Sequence, residues 1–554
     1  MVPSSRQASS PSPRLGGGGR GERALGRREW GFIRPPSPSL AFLAVFTLAL
    51  APRLLAPARF VTWDEPTWAE RSTAFLHALE SGDLARTFQR EHPGVVTMWA
   101  GAAALAMSEP ASSAVDDQDA PLNPMRAALA LLTALAIALA WWLARPLVGP
   151  TTATTAAAIL AFDPYLLAHS RVLHLDAVAA LLALVAVLCL ARWVDVAPPA
   201  PSKRWLIATG IATGLAVVEK SPMLVLGAFV AAVITVRIVV DVVRGRSRTR
   251  VGDGLVRWLD AGVVVAVAAA VTYVAVWPAM WVAPVETFRR MLAYAAEGAG
   301  QAREAVFLAG RVSPDPGIGL YLAAIPWRMT PLSLVGALVG VGVAVREARR
   351  GRWTASVLLA WAVVFVLAMG AGAKKFERYM LPSLPALDVV AAVGLVAVVD
   401  AARRWRAGVG RRRGVVGDVG ILAALVVAQA VVVVAHHPYY LAWYNPLLGG
   451  GPAAARVLPV GWGEGSDLVV DWLNDQRTGD GLTVATASDT MIAHRFSGRI
   501  VSPKKWREAD WLVVMIDDRQ IGEPEEILSA VEGRPPTHVV RLNGIDYAWI
   551  WARP

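Results

Sequence analysis

The chain has 554 residues, of which 55% are hydrophobic and only 18% charged, with 54 Lys+Arg against 43 Asp+Glu for a net charge of +11. An average soluble protein is about 25% charged, so this balance excludes a disordered chain and disfavours an ordinary soluble multidomain enzyme. The single cysteine, Cys189, rules out an intrachain disulfide and any cysteine-based metal cluster.

Residues 1–38 are rich in Ser, Pro, Gly and Arg and show no apolar period, so they read as a disordered basic cytoplasmic tail. The apolar stretch behind it, 40–58, has no convincing small-residue cleavage site and reads as an uncleaved first span. Residues 59–93 mix Trp, acids and bases. They cannot cross a bilayer, and a loop of that length is usually functional. Apolar runs follow at about 94–108, 125–145, 151–168, 174–193, 205–219, 222–243, 259–281, 330–346, 353–370, 380–400 and 418–435. The expected fold class is therefore an all-α polytopic membrane protein of about 11–12 spans over residues 39–435. A small α/β domain is expected over 436–554. Helical spacing at 467–476 and 525–533 and strand-like runs at 482–488 and 510–516 support it, with a hairpin around Asn543-Gly544.

Basic clusters orient the spans. Lys203-Arg204, Arg244/246/248/250, Arg346/349/350/352 and Arg403–Arg413 occur after every second run, so these loops and the N-terminal tail are expected on the cytoplasmic side. The opposite side then receives 59–93, 169–174, 219–222, 282–329, 371–379 and the C-terminal domain. Twelve runs would put both termini on one side, so the short run 94–108 is expected to dip into the membrane without crossing. The basic surplus is explained by orientation, and nucleic acid is not an expected partner.

Five places on the outer side carry chemistry. Asp64-Glu65 follows the first span, and paired acids at an interface suit a general base; a helix cap by Asp64 is the alternative. Asp163-Pro164-Tyr165…His169-Ser170-Arg171…His174…Asp176 packs two acids, two imidazoles and an arginine into a junction, where ionisable groups need partners or a task. Glu219-Lys220-Ser221-Pro222 is a charged break in which Lys220 could hold a phosphate oxygen or snorkel. Lys374-Lys375-Phe376-Glu377-Arg378-Tyr379 places three cations where positive-inside bias should deplete them, which points to anion binding. Gly461-Trp462-Gly463-Glu464-Gly465 reads equally as a ligand loop and a domain junction. There is no P-loop, no convincing dinucleotide fingerprint and no His-Glu-x-x-His. No cofactor is expected; a divalent metal is possible but not indicated.

These pieces, in this order, resemble the polyprenyl-phosphate-sugar-dependent glycosyltransferases of the protein O-mannosyltransferase and aminoarabinose-transferase type, which share the GT-C membrane fold. The matching features are Asp64-Glu65, His92-Pro93-Gly94, Pro164…Ser170-Arg171…Asp176, Glu219-Lys220-Ser221, Phe376-Glu377-Arg378-Tyr379…Pro385 and Tyr444-Asn445-Pro446…Trp462-Gly463-Glu464. The resemblance implies inverting transfer of a sugar from a polyprenyl-phosphate donor to a hydroxyl on the outer face of the plasma membrane. It implies Asp64 as the base, with Glu65 beside it. Arg171, Lys220, Lys374 and Arg378 would bind the donor phosphate, and His92, Asp176, Tyr379, Trp462 and Glu464 would line the acceptor or sugar cavity. Two departures stand out. Gly94 replaces a proline of the family's His-Pro-Pro, and the loop 282–329 is too short to hold the family's inserted β-trefoil domain. The acceptor, whether protein, lipid or cell-wall glycan, is therefore open. Two other classes fit the bare topology: a secondary transporter, although no repeated halves are visible, and a non-catalytic scaffold with a glycan-binding outer domain.

Overall fold

The computed structural model describes residues 37–55, 60–90, 93–108, 122–195, 202–243, 251–300, 305–408, 415–476 and 481–554. Most of the basic tail, His92, the cluster Arg244–Arg250 and Arg411–Arg413 lie outside the described residues. The chain divides into Met1–Ala41 and Phe42–Pro554, and all that follows concerns the second unit.

The helices run in chain order as α1 (Pro38–Leu54), α2 (Glu65–Glu80), α3 (Val95–Met107), α4 (Leu122–Val148), α5 (Pro150–Ala161), α6 (Pro164–His169), α7 (Asp176–Val194), α8 (Lys203–Glu219), α9 (Leu224–Val243) and α10 (Val251–Val276). There follow α11 (Ala279–Val282), α12 (Pro284–Gly300), a hairpin of β1 (Val306–Leu308) and β2 (Arg311–Ser313), α13 (Gly319–Arg328), α14 (Pro331–Arg349), α15 (Thr354–Ala371), α16 (Leu384–Gly408) and α17 (Val415–Ala435). Among the described residues seven helices are long and apolar enough to cross a membrane, and eight if the bent segment 420–448 counts as one. The protein is a multi-pass membrane protein. Four other expected runs are carried by helices of 17, 13, 12 and 17 residues, α1, α3, α5 and α8. Run 94–108 becomes the 13-residue α3, about 20 Å of helix. Run 151–168 breaks in two because Asp163 caps α6, accepting from the Leu166 N–H at 2.6 Å, with Pro164 in its first turn.

Small residues set the closest helix contact. A β-carbon on Gly336, Gly340 or Gly394 would strike the facing backbone, so α14 and α16 pack backbone to backbone.

The C-terminal region contributes α18 (Gly450–Ala454), α19 (Ser466–Asp475), β3 (Thr483–Ala485), α20 (Asp489–Ala493), β4 (Arg499–Val501), β5 (Trp511–Met515), α21 (Ile516–Ile521), α22 (Glu525–Ala530), β6 (His538–Leu542) and β7 (Ile545–Ala552). The sheet order is β4-β3-β5-β7-β6, parallel over β4, β3 and β5 and antiparallel from β5 onward. Asn543 and Gly544 both have positive φ, 49° and 73°, the conformation a two-residue hairpin turn requires. One sheet face packs Val484, Val513 and Ile550 with Val469 and Leu473 of α19, and the other packs Leu512, Val514 and Trp551 with Ile527 of α22.

One buried cluster positions the site. Trp68 and Phe75 of α2 pack with Met98 of α3, Met125 and Leu129 of α4, Leu173 and Trp277. That burial, worth about 1.5–3 kcal/mol for each large side chain, clamps the first loop onto the bundle.

Candidate active site

The site grows from the first turn of α2. Glu65 is fully buried and takes both arms of the Arg126 guanidinium, Nε at 2.7 Å and Nη2 at 2.9 Å. It also accepts the N–H groups of Thr62 at 3.0 Å and Leu173 at 2.8 Å. Burial pushes the Glu65 carboxyl up, but Arg126 and these donors hold it below its ordinary value. The sequence pairs Glu65 with Asp64 in the expected catalytic site; here every Glu65 oxygen is committed, and the residue fixes the backbone on either side of Asp64.

Asp64 is thereby held outward, 36% exposed, and its Oδ2 accepts from Arg378 Nη2 at 3.0 Å and from the Trp462 indole N–H at 3.0 Å. His174 Nε2 stands 3.7 Å from the same oxygen. Burial pushes the Asp64 carboxyl up; Arg378, then His174 and the indole, more than reverse this and hold it below the ordinary range. The Nδ1 atom of His174 lies 3.4 Å from both the backbone nitrogen and a carboxylate oxygen of Asp176. Burial keeps that ring neutral by lowering its pKa.

Asp176 begins α7 and is buried against Lys220, with Arg378 Nε at 3.5 Å. Lys220 also lies over the Tyr379 ring at 4.4 Å. The Arg378 guanidinium is flanked by Phe376 at 4.3 Å and Trp462 at 4.9 Å. Five segments far apart in sequence thus meet at one point.

Two cavities open from that point, and Asp64, Phe376 and Arg378 line both. The larger, about 760 Å³, carries Arg71, Lys220, Lys374 and Tyr379 near Asp64 and continues down an apolar wall of Leu224, Val225, Ala368 and Met369. The smaller, about 350 Å³, runs toward the C-terminal domain past His169, Trp462, Glu464 and Asp517. A row of cations above an apolar slot fits a phosphate with a hydrocarbon tail.

Arg171, expected at the donor phosphate, stands elsewhere. Its guanidinium reaches Tyr440 Oη at 3.1 Å and the Pro52 carbonyl at 3.3 Å and lines neither cavity, so it stitches the 437–440 turn to the bundle. Glu219 caps α3, accepting from the N–H groups of Val96 at 2.8 Å and Thr97 at 3.1 Å. Glu464 lines the smaller cavity but is buried, accepting from the Trp462 N–H at 2.8 Å and Tyr547 Oη at 3.3 Å; burial raises its pKa. Among the described residues no group of three His, Cys, Asp or Glu side chains is arranged to hold a metal ion.

Sequence reasoning missed Arg328. It grips Glu377 with Nε at 2.6 Å and Nη2 at 3.0 Å and bonds the Leu441 and Trp443 carbonyls at 2.7 and 3.0 Å. It therefore positions the segment that carries Arg378. Trp63, next to the acid pair in sequence, was given no role there; its indole donates to Asp517 Oδ2 at 3.2 Å, tying the first loop to the C-terminal domain. A β-carbon on Gly463 would strike the Val61 carbonyl, and its φ of +117° suits only glycine, so that contact is backbone on backbone.

Residues 85–292 match the family PMT, dolichyl-phosphate-mannose-protein mannosyltransferase. This stretch is a PMT-family domain. It contains His174, Asp176 and Lys220, while Asp64, Arg378 and Trp462 lie outside it. The match supports the reading of a polytopic membrane glycosyltransferase. Among solved structures the chain is similar to ArnT from Cupriavidus metallidurans bound to undecaprenyl phosphate, at 16% identity over 93% of this chain and 97% of that one, with a TM-score of 0.47. It is similar also to the oligosaccharyltransferase AglB from Archaeoglobus fulgidus in complex with an inhibitory peptide and a dolichol-phosphate, at 14% identity over 87% and 70%, TM-score 0.44. A third is the S. cerevisiae protein O-mannosyltransferase Pmt1-Pmt2 complex bound to the sugar donor, at 18% identity over 50% and 36%, TM-score 0.33. No curated protein matches the chain.

Proposed function

We propose that Asp64 is the general base of an inverting transfer from a polyprenyl-phosphate sugar to an acceptor hydroxyl, on the extracytoplasmic face of the plasma membrane. One observation carries the assignment: a single carboxylate, paired with a single guanidinium, stands where both cavities meet. The donor phosphate takes the larger cavity, with Arg378, Lys220 and Lys374 near its oxygens and the prenyl chain along the apolar wall. Asp64 accepts the proton of an acceptor hydroxyl presented from the smaller cavity. The acceptor oxygen then attacks the anomeric carbon from the face opposite the phosphate. The carbon–oxygen bond to phosphate breaks as the new one forms, and the electron pair leaves on the phosphate. That leaving group is already stable as an anion, so fixed positive charge around it replaces proton donation.

Helix direction supports the sidedness. Helices α8 and α15 arrive at the site end, α7 and α16 leave from it, and the basic residues at 203–204, 346–352 and 403–406 lie at their opposite ends. The deciding experiment presents radiolabelled polyprenyl-phosphate sugars and native membrane extract to purified protein and to Asp64→Asn. Label should move only with the unaltered protein. Equal transfer by the variant would remove Asp64 as the base.

A further inference from the structure

The smaller cavity has a composition that the transfer step alone does not require. His169 is buried to 1% exposure, lines this cavity, and neither ring nitrogen has a hydrogen-bond partner. Its ring sits 5.1 Å from that of Trp462. Burial drives its pKa down, so it offers one donor and one acceptor to whatever fills the space. Opposite, Asp517 and Asp518 of α21 line the same cavity. Burial, with Asp517 adjacent, raises the Asp518 carboxyl to about 7.

The fixed charges there are mixed. An anionic ligand would meet Asp517 and Asp518 with no lining cation left to balance it: Arg328 is engaged with Glu377, Lys375 with Asp315 at 3.4 Å and Arg378 with Asp64. A cationic ligand would gain little, because Asp517 already accepts from the Trp63 indole and Asp518 from the Ser488 hydroxyl. A neutral molecule dense in hydroxyls needs no net charge from the lining and can both donate to the carboxylates and satisfy His169. At about 350 Å³ the volume is at the low end of the roughly 300–1,000 Å³ of small-molecule sites, room for one or two sugar rings.

We propose that this cavity is an acceptor subsite for a neutral carbohydrate, with Asp517, Asp518 and His169 binding its hydroxyls and Trp63 and Trp462 supplying its apolar walls. The inference rests on the transferase reading above and adds to it the class of acceptor. It also gives the C-terminal domain a direct share in substrate recognition.

The test uses the full chain in lipid nanodiscs and ligand-observed saturation-transfer NMR. The probes are methyl glycosides of neutral hexoses and pentoses, glucosamine, galacturonate and a Ser/Thr-containing hexapeptide. Undecaprenyl phosphate binding is measured separately. Two variants are compared: Asp517→Asn/Asp518→Asn, and Ile521→Trp, which fills the cavity without removing a polar group. The expected result is saturable binding of a neutral glycoside, weakened at least about tenfold in both variants, with undecaprenyl phosphate binding unchanged. Preference for the charged sugars or the peptide, absence of glycoside binding, or glycoside binding untouched by Ile521→Trp would overturn it. Should the double variant fail to fold, Ile521→Trp alone decides. Loss of undecaprenyl phosphate binding by the unaltered chain, with glycoside binding intact, would count against the donor assignment and not against this one.

Discussion

The guanidinium of Arg378 lies 3.0 Å from a carboxylate oxygen of Asp64, 314 positions earlier in the chain. The pair stands where the two cavities meet, so the proposed base has one oxygen partnered until something competes for Arg378. A donor phosphate in the larger cavity is such a competitor, because it offers Arg378 a second anion with oxygens spaced for its fork. Donor binding and release of the Asp64 oxygen by Arg378 are then one event.

Replacing Asp64 by Asn separates the two halves of that event. Transfer should fall by at least about 10²-fold, the usual contribution of a positioned base, while affinity for undecaprenyl phosphate holds or rises, since Arg378 is released. Binding by scintillation proximity beside the transfer assay reads both. Loss of donor affinity in step with activity would contradict competition for Arg378.

Arg378→Lys keeps the charge but loses the fork. Donor affinity should drop about tenfold, and Arg378→Ala should lose more, in line with about 1.5–3 kcal/mol for a charge-assisted hydrogen bond. Equal affinity in the lysine variant would show that a point charge suffices.

The pH profile should be asymmetric between kinetic parameters. In the free enzyme Asp64 is held below its ordinary value of 3.8, so the acid limb of kcat/KM should fall below about pH 4. With donor bound and Arg378 drawn away, the carboxyl rises, and the acid limb of kcat should sit at higher pH. Coincident limbs in steady-state kinetics from pH 3.5 to 8 would argue that Arg378 never leaves.

Glu65→Gln should unfold the protein more readily and also lower transfer in the molecules that fold, because the backbone on either side of Asp64 loses its pin. Removing one partner of a buried ion pair costs about 3–5 kcal/mol. Because the folded carboxyl is held below its ordinary value of 4.5, its contribution is present above that pH and disappears as pH falls through the folded value. Thermal unfolding in detergent should show the gap between wild type and Glu65→Gln narrowing at acid pH; a gap independent of pH would sink this account.

The Gly463 contact offers a separate check. Gly463→Ala would press a methyl group against the Val61 carbonyl and swing Trp462 off Asp64. Transfer should fall by at least about tenfold, as expected when a positioning contact shifts by an ångström, with little change in undecaprenyl phosphate affinity. Unchanged activity would mean that the Trp462 loop adjusts freely.

The spans, the hairpin at Asn543-Gly544 and the outer loops with their acids and cations were legible because apolar period, turn chemistry and charge bias are local signals. What spacing could not do was choose between neighbours. Asp64 and Glu65 look alike in sequence; only Arg126, 61 positions away from Glu65, makes one a pin and leaves the other facing the cavities. Arg171 lies close in sequence to Asp176, yet the turn after α6 sends it toward Tyr440. His169 and Asp517 gave no signal as partners across one cavity, because the contact that ties α21 to the first loop, Trp63 to Asp517, spans 454 positions.

Two mouths converging on one carboxylate also constrain the order of events. Neither substrate blocks the path of the other, and no product has to depart before the second reactant arrives. Initial-rate plots at several fixed donor concentrations should therefore intersect, the signature of a ternary complex, and no sugar should ever be found covalently attached to the polypeptide.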